Sequence, residues 1–292
     1  GHHDGTHAPG DRLQFWQVLQ ITHHLLLAHG RAVQAIRAAR SDSQVGIVST
    51  GPIGLPASRC PADVEAARQA TYALTERTLW SHTWWMDPIF LGRYPEDGCR
   101  LFGQDMPTIG PEDMATISQP LDYFGINIYN GHTVRQGEDG RPVAVAQEPG
   151  CPLTANGWPV TPEALYWGPR FFWERYGLPI VIAENGLASI DWVALDGSVH
   201  DPQRIDFTRR YLLQLENAIA EGVPVHGYFH WSAFDNFEWA EATRYRFGLI
   251  HVDYRTQTRT LKDSAYWYRE VIASHGQALA AELQGSTGPA HG

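Results

Sequence analysis

The sequence predicts an α/β fold in which four strands alternate with helices, the arrangement of half a (β/α)8 barrel. Apolar stripes with helical spacing alternate with short apolar runs of strand length along the 292 residues. Two helix-to-strand junctions share one pattern, Gly177-x-Pro179 and Gly222-x-Pro224. Strands that alternate with helices favour a parallel sheet. We expect residues 1–292 to form a single domain, because one α/β barrel reaches this length.

The first predicted elements follow in chain order. Apolar side chains recur with helical spacing from Phe15 to Ile36, so a leading helix is expected over residues 15–40. Residues 45–49 form a short buried strand, and residues 62–81 form a second long helix. The run DYFGINIY predicts a strand over residues 122–129. The Asp139-Gly140 pair is typical of the turn in a hairpin, here over residues 133–147.

The remaining elements repeat one unit twice. Thr161-Pro162 begins a helix that ends at Gly177, and residues 179–183 form the next strand. Asp201-Pro202 begins a helix that ends at Gly222, and residues 224–231 form a strand. A capping residue, then proline, and glycine at the far end are the usual limits of a helix. A hairpin over residues 247–261 and a helix over residues 263–274 complete the series.

Four βα units make half a barrel, which has consequences for stability. A free half would expose two edge strands and the unfilled interior of the barrel. We therefore expect the chain either to have a partner or to be a segment of something longer.

Composition excludes several classes of function. The net charge is −10 and the basic residues are scattered, which argues against nucleic acid as a partner. No apolar run reaches membrane-spanning length, and we expect no signal peptide. The chain has an odd number of cysteines, Cys60, Cys99 and Cys151, and their spacing is not that of a metal site. We therefore expect free thiols, a cytoplasmic protein, and no metal or cofactor. A Cys60–Cys99 bridge is the alternative.

Three strand ends carry side chains that are suited to a catalytic or binding site. Glu184 follows an apolar strand, at the end where α/β barrels place their chemistry. Tyr129 ends another strand and could donate a hydrogen bond to a carboxylate. Trp231 is delivered by a third strand, and the loop after it contains Glu238 and Trp239, a carboxylate beside aromatic rings that can hold sugar hydroxyls. The structural alternatives are a helix-capping or ion-paired glutamate, a solvated tyrosine and core aromatics.

These residues lie in motifs that resemble glycoside hydrolase family one, the β-glucosidase family. The resemblance covers essentially the whole chain. Its carriers are His7-Ala8-Pro9-Gly10, HHLLLAHG at residues 23–30, FGINIY at residues 124–129, GWPVTP at residues 157–162, Ala183-Glu184-Asn185-Gly186, and Trp231-Ser232 through Glu238-Trp239. The order and number of these motifs make the resemblance specific.

The resemblance implies a role for each strand-end residue. Glu184 matches the nucleophile that forms a glycosyl-enzyme intermediate. Tyr129 matches the tyrosine bonded to that nucleophile, and Asn127 lies beside it. The family needs no cofactor or metal, and its partner is a small-molecule β-glucoside or oligosaccharide.

The loop after the last strand matches the sugar-binding wall of the family. Trp231 matches the platform under the glycone sugar, and Glu238 matches the acceptor for its O4 and O6 hydroxyls. Trp239 matches a donor near O3, and Phe247 lies where the family closes the glycone pocket. A carboxylate at Glu238 would repel a phosphate, which argues against the 6-phospho-glucosidase branch.

One departure from the family is large. The acid/base glutamate of the family sits in an Asn-Glu-Pro motif before the equivalent of His7-Ala8-Pro9-Gly10, and this sequence contains no Asn-Glu-Pro. The resemblance therefore implies a partner, the N-terminal half of the barrel. The function expected is retaining β-glucosidase activity. The alternatives are a non-catalytic sugar-binding half-barrel and a structural fragment that only completes a barrel.

Overall fold

The computed structural model describes residues 1–280. Its helices are α1 (Phe15–Ala39), α2 (Pro61–Tyr72), α3 (Thr83–Leu91), α4 (Glu96–Phe102), α5 (Asp113–Ile117), α6 (Ala164–Tyr176), α7 (Pro202–Ala220), α8 (Asp263–Ala273) and α9 (Gln277–Ala280). Its strands are β1 (Gly46–Thr50), β2 (Gly54–Pro56), β3 (Tyr123–Asn127), β4 (His132–Gln136), β5 (Pro142–Ala144), β6 (Ile180–Asn185), β7 (Val225–His230), β8 (Ile250–Val252) and β9 (Arg259–Leu261).

The principal sheet has four parallel strands in the order β1-β3-β6-β7. Each strand is followed along the chain by a helix, which confirms the α/β prediction. The helices cover one face of the sheet, where Phe124, Ile126, Ile180 and Ile182 are fully buried. Parallel strands are buried by the helices that connect them, so this face forms the main core.

The opposite face of the sheet carries apolar side chains without a cover. Val48 on β1 is 48% exposed and Phe229 on β7 is 62% exposed. Glycine stands between them on this face. A Cβ at Gly125 would lie 2.7 Å from Val48 Cγ2, and one at Gly227 would face Val181 and Phe229. Parallel sheets normally bury both faces, so the exposure of this one is unusual.

The predicted helix ends and the predicted hairpin turn are confirmed. Gly177 and Gly222 adopt left-handed backbone conformations, with φ of 71° and 94°, just beyond α6 and α7. Residues other than glycine rarely adopt such φ values. β4 and β5 pair antiparallel around a turn in which Gly140 has φ of 78°.

The single long helix expected over residues 62–81 is wrong. α2 ends at Tyr72, and α3 begins at Thr83. From Tyr72 onward, main-chain groups form hydrogen bonds with side chains from outside α2 instead of continuing the helical hydrogen bonds. The amide of Leu74 donates to Asp97 Oδ2 at 2.8 Å, and the Thr83 hydroxyl donates to the carbonyl of Tyr72 at 2.7 Å. The short helices α3, α4 and α5 between β1 and β3 were not predicted from the sequence.

The cysteines are free thiols, and the alternative Cys60–Cys99 bridge does not form. Within residues 1–280, no helix is long and apolar enough to cross a membrane. The same residues bring together no group of three His, Cys, Asp or Glu side chains that could hold a metal ion.

Candidate active site

The site lies where neighbouring parallel strands end. Glu184 is the penultimate residue of β6, and Asn127, the last residue of β3, pairs with it in the sheet. The register shifts between Ile126 and Asn127, which is a bulge in the ladder. Bulges near strand ends re-aim side chains. The adjacent strand β7 ends at His230, and Trp231 follows it directly.

Tyr129 holds the Glu184 carboxylate. Its hydroxyl donates to Glu184 Oε2 at 2.7 Å, across 55 positions of sequence. Burial, the charge of Glu184 and this hydrogen bond together raise the pKa of Tyr129 far above its ordinary value. The phenol therefore stays protonated and is a permanent donor to the carboxylate.

Opposing effects set the pKa of Glu184. Burial raises it above its ordinary value, while hydrogen bonding to Tyr129 and Asn127 limits the rise. Asn127 Oδ1 is buried and has no hydrogen-bond partner within residues 1–280. Buried polar atoms without a hydrogen-bond partner are uncommon in folded proteins, and this one lies beside the Glu184 carboxylate.

Trp231 and Glu238 form the second part of the site. The indole Nε1 of Trp231 donates to Glu238 Oε2 at 3.4 Å. Burial raises the pKa of Glu238, the Trp231 hydrogen bond lowers it, and the negative charge of Glu184 raises it further. The loop after β6 passes against this segment so closely that a Cβ at Gly186 would lie 1.9 Å from the Trp231 carbonyl oxygen. The Trp231–Ser232 peptide bond is cis.

Aromatic rings form a wall beside the carboxylate. Phe247 is 2% exposed, and its ring centroid lies 6.2 Å from that of Tyr129. Trp158 contacts the same two residues, with its centroid 5.2 Å from Tyr129 and 6.4 Å from Phe247. Sequence reasoning noted Trp158 only as part of a motif and gave it no place in the site. Trp239 is not gathered into this cluster, because its side chain is 71% exposed.

Comparison with known proteins identifies the family. The family model described as "Glycosyl hydrolase family 1" matches residues 1–277. The chain belongs to glycosyl hydrolase family 1. Beta-glucosidase A of Thermotoga maritima is 39% identical over 277 residues, which are 94% of this chain and 60% of that protein. Beta-glucosidase of Agrobacterium sp. is 39% identical over 287 residues, 94% of this chain and 60% of that protein.

The solved structures agree with the sequence comparison. A family 1 b-glucosidase from Thermotoga maritima in complex with isofagomine lactam matches with a TM-score of 0.80 and 38% identity, over 94% of this chain and 61% of that one. The chain thus spans about 60% of the length of the relatives it matches. The solved relatives are (β/α)8 barrels, and the four-stranded sheet is the part that the last four βα units of such a barrel form.

In this family 1 chain, a buried amide next to Glu184 links the three strand ends. Asn185 is fully buried. Its Nδ2 donates to the carbonyl of Ile128 at 2.8 Å, and its Oδ1 accepts from the Tyr228 hydroxyl at 2.9 Å. Its main-chain carbonyl accepts from the amide of Trp231 at 2.9 Å. Sequence reasoning did not assign this role, because the partners lie 57 and 43 positions away.

A buried ionic network supports the loops that carry the family 1 site. Arg204, at the start of α7, is fully buried and donates to Asp201 at 2.8 Å and to Asp191. Its guanidinium also donates to the carbonyls of Leu187 and Phe247. One side chain therefore ties the loop after β6 to the residue that forms the aromatic wall.

Lys262 and Asp235 extend this network to the Glu238 loop. Lys262 is fully buried and donates to Asp191 at 2.5 Å and to Asp235 at 2.8 Å. Asp235 also accepts from Arg246 at 2.6 Å and from the amide of Gly248 at 3.0 Å. The network contains three basic and three acidic side chains, which are Arg204, Arg246, Lys262, Asp191, Asp201 and Asp235. Spacing along the sequence gave no sign of this arrangement.

Proposed function

We propose that this chain carries the nucleophile half of a retaining β-glycosidase that acts on β-D-glucosides. The observation that carries the proposal is the hydrogen bond of 2.7 Å from Tyr129 to Glu184 at the end of a parallel strand. A permanent donor favours the ionised carboxylate and fixes its orientation. The named relatives are beta-glucosidases, which supports glucosides as substrates.

Glu184 attacks the anomeric carbon of the sugar. The bond from that carbon to the leaving oxygen breaks, and an ester bond to Glu184 forms. A second carboxylic acid gives a proton to the leaving oxygen and then takes one from the water that releases the sugar. Retaining chemistry places the two carboxyl groups ~5–5.5 Å apart. We assign the second group to the N-terminal half of the barrel, as the family resemblance implies.

The other site residues bind the sugar. Trp231 is the platform on which the ring stacks, and Glu238 accepts the O4 and O6 hydroxyls. Phe247 closes the pocket, and Trp239 donates near O3. The exposure of Trp239 fits a residue whose partner is a ligand, and solved relatives hold sugar-like molecules such as deoxynojirimycin and castanospermine.

The partner we propose is the first four βα units of the barrel. Val48 and Phe229 are exposed on the face of the sheet that the helices leave uncovered. We call it the inner face, because an opposing set of strands that closes the barrel would bury it. A cavity of about 430 Å³ runs along β1, which is an edge strand of the sheet. Its lining includes Leu25 and Trp80, which are 55% and 58% exposed. Such apolar surfaces are typical of interfaces.

Covalent labelling tests the function. The chain, complemented by the N-terminal half of a family 1 β-glucosidase, is incubated with dinitrophenyl 2-deoxy-2-fluoroglucoside, and its intact mass and peptides are measured. We expect one fluoroglucosyl group on Glu184 and none on the Glu184→Gln variant. Sugar that binds without labelling would favour a non-catalytic sugar-binding half-barrel. If the sugar neither binds to the chain nor labels it, the result would favour a structural fragment.

A further inference from the structure

A tyrosine of α7 holds the main chain that carries Tyr129. Tyr211 is fully buried and stacks on Phe207, with ring centroids 4.1 Å apart. Its hydroxyl donates to the carbonyl of Tyr129 at 2.9 Å and accepts from the amide of Thr161 at 2.9 Å. Burial raises the pKa of Tyr211, so the hydroxyl keeps the proton that it donates.

The main chain on both sides of Tyr129 is fixed as well. Ile128 donates to the carbonyl of Glu184 at 2.9 Å and accepts from Asn185 at 2.8 Å. The amide of Gly131 donates to Thr161 Oγ1 at 2.9 Å. Thr161 therefore contacts this segment directly and also through Tyr211. At Tyr129 itself, the Tyr211 hydroxyl is the partner of the carbonyl.

The position of this main chain decides where the phenol of Tyr129 lies. A tyrosine side chain has two torsions and a rigid ring, and here Trp158 and Phe247 pack against that ring. The ring has little freedom to compensate for a shift of its own Cα. An O–H···O hydrogen bond weakens beyond about 3.0 Å, and the bond to Glu184 starts at 2.7 Å. A shift of a few tenths of an ångström would thus change the contact.

We propose that Tyr211 is a positioning residue: its hydroxyl fixes the main chain of Tyr129 so that the phenol of Tyr129 donates to Glu184. The Tyr211 hydroxyl bonds to the main chain of Tyr129 and Thr161 and not to the Glu184 carboxylate. The proposal rests on the proposed function insofar as Glu184 is the nucleophile. The geometry that it concerns can be measured separately from activity.

The first test observes Tyr129 directly in the chain. Tyrosine is labelled with ¹³C at Cζ, whose chemical shift responds to hydrogen bonding of the phenol, and the Tyr129 signal is identified by its loss in Tyr129→Phe. We expect Tyr211→Phe to move that signal in the same direction as Glu184→Gln. Tyr166→Phe is the matched control, because the Tyr166 hydroxyl is bonded to Glu221 on the outside of the sheet. A Tyr129 signal that moves no more than in the control overturns the proposal.

The second test is a double-mutant cycle on labelling of the complemented assembly by the fluoroglucoside. We expect Tyr129→Phe to slow labelling about 10- to 100-fold, the factor for a lost hydrogen bond to a charged group. Tyr211→Phe should slow it about 3- to 10-fold, and the double variant should match Tyr129→Phe within about 2-fold. If Tyr211 were merely structural, the two effects would multiply, and that result overturns the proposal.

The pH dependence of labelling adds a further readout. The titratable groups facing Glu184 are Tyr129 and Glu238, and Glu238 is unchanged in these variants. A weaker Tyr129 bond leaves the pKa of Glu184 higher, so the acid limb should move to higher pH in both single variants. An acid limb that moves in Tyr129→Phe but not in Tyr211→Phe contradicts the proposal. Failure to label the parent at Glu184 would reject the proposed function, while the ¹³C experiment still decides the role of Tyr211.

Discussion

At the scale of single residues, the site holds two partly buried carboxylates that oppose folding. Burial raises the pKa of both Glu184 and Glu238. The folded protein therefore binds their protons more tightly than the unfolded chain does. Stability falls as the pH rises from the ordinary glutamate pKa through the raised value, and the deficit persists at higher pH. Tyr129 and Trp231 reduce this cost by hydrogen bonding to the charged forms.

Glu184→Gln should therefore separate activity from stability. We expect turnover of the complemented assembly to fall at least ~10⁴-fold, because an amide cannot form the glycosyl ester. The thermal midpoint of the chain at pH 7 should not fall, because the buried charge is removed, and any gain should shrink below about pH 4. Glu216→Gln, at an exposed position of α7, is the control. A variant that keeps a tenth of the normal rate would refute the assignment.

Glu238→Ala should impair sugar recognition. Its carboxylate is held by Trp231 and is proposed to accept sugar hydroxyls. We expect kcat/KM on glucosides to fall by about 1.5–3 kcal/mol, the range for charge-assisted hydrogen bonds. The loss should be smaller on fucosides, which lack the O6 hydroxyl. Glu241→Ala is the matched control, because its one ion pair within residues 1–280 is with the exposed Arg244 at 3.5 Å. Equal losses on both sugars would indicate a structural role for Glu238.

At the scale of elements, the loops of the site depend on the buried ionic network behind them. Arg204 and Arg210 lie on the same helix, and each pairs with an aspartate, at 2.8 Å and 2.7 Å. The Arg204 side chain is fully buried, whereas that of Arg210 is 60% exposed. A buried pair that loses one partner leaves an uncompensated charge, while an exposed pair contributes little.

Arg204→Met should consequently destabilise the chain by about 3–5 kcal/mol, and Arg210→Met by less than about 1 kcal/mol. Chemical denaturation of the two variants measures the difference. Arg204→Met also removes donors to the carbonyls of Leu187 and Phe247, so we expect weaker sugar binding in addition. Similar stabilities for the two variants would show that the network does not support the site loops.

The elements also show what sequence patterns can predict. α6, α7 and the strands after them follow from local rules, because glycine at a left-handed position and proline beyond it act on neighbouring residues. The end of α2 does not follow from local rules, since the amide of Leu74 finds Asp97 and the carbonyl of Tyr72 finds Thr83. Local patterns predict regular elements, while these tertiary hydrogen bonds decide where one stops.

The same distinction applies to the candidate site. The sequence places Glu184, Tyr129 and Trp231 at strand ends, and parallel strands bring those ends together. The residues that fix their geometry are distant in sequence: Tyr211 is 82 positions from Tyr129, and Lys262 is 71 positions from Asp191. Such contacts depend on how helices pack on the sheet, and periodicity contains no information about that packing.

At the scale of the whole molecule, the uncovered face of the sheet and the single proposed nucleophile both lead us to expect that turnover requires the other half of the barrel. The chain spans about 60% of its relatives, and retaining chemistry uses two carboxyl groups. We expect the chain alone to give at most a weak burst with a dinitrophenyl glucoside. Cellobiose or an alkyl glucoside should be turned over steadily only after the first four βα units are supplied in trans. Steady hydrolysis by the pure chain would show that another residue of this chain acts as the acid/base.

Assembly itself should depend on the inner face of the sheet. Phe229 on β7 is 62% exposed on that face, and Ile272 on α8 is 60% exposed. Burying a phenylalanine side chain is worth about 1.5–3 kcal/mol, so Phe229→Ser should weaken association with the N-terminal half roughly 10- to 100-fold. Ile272→Ser removes a comparably exposed apolar side chain from a helix and should leave association unchanged. Titration of the N-terminal half against each variant, with recovered turnover as the readout, gives the two affinities. Equal affinities would mean that the inner face is not the surface on which the barrel closes.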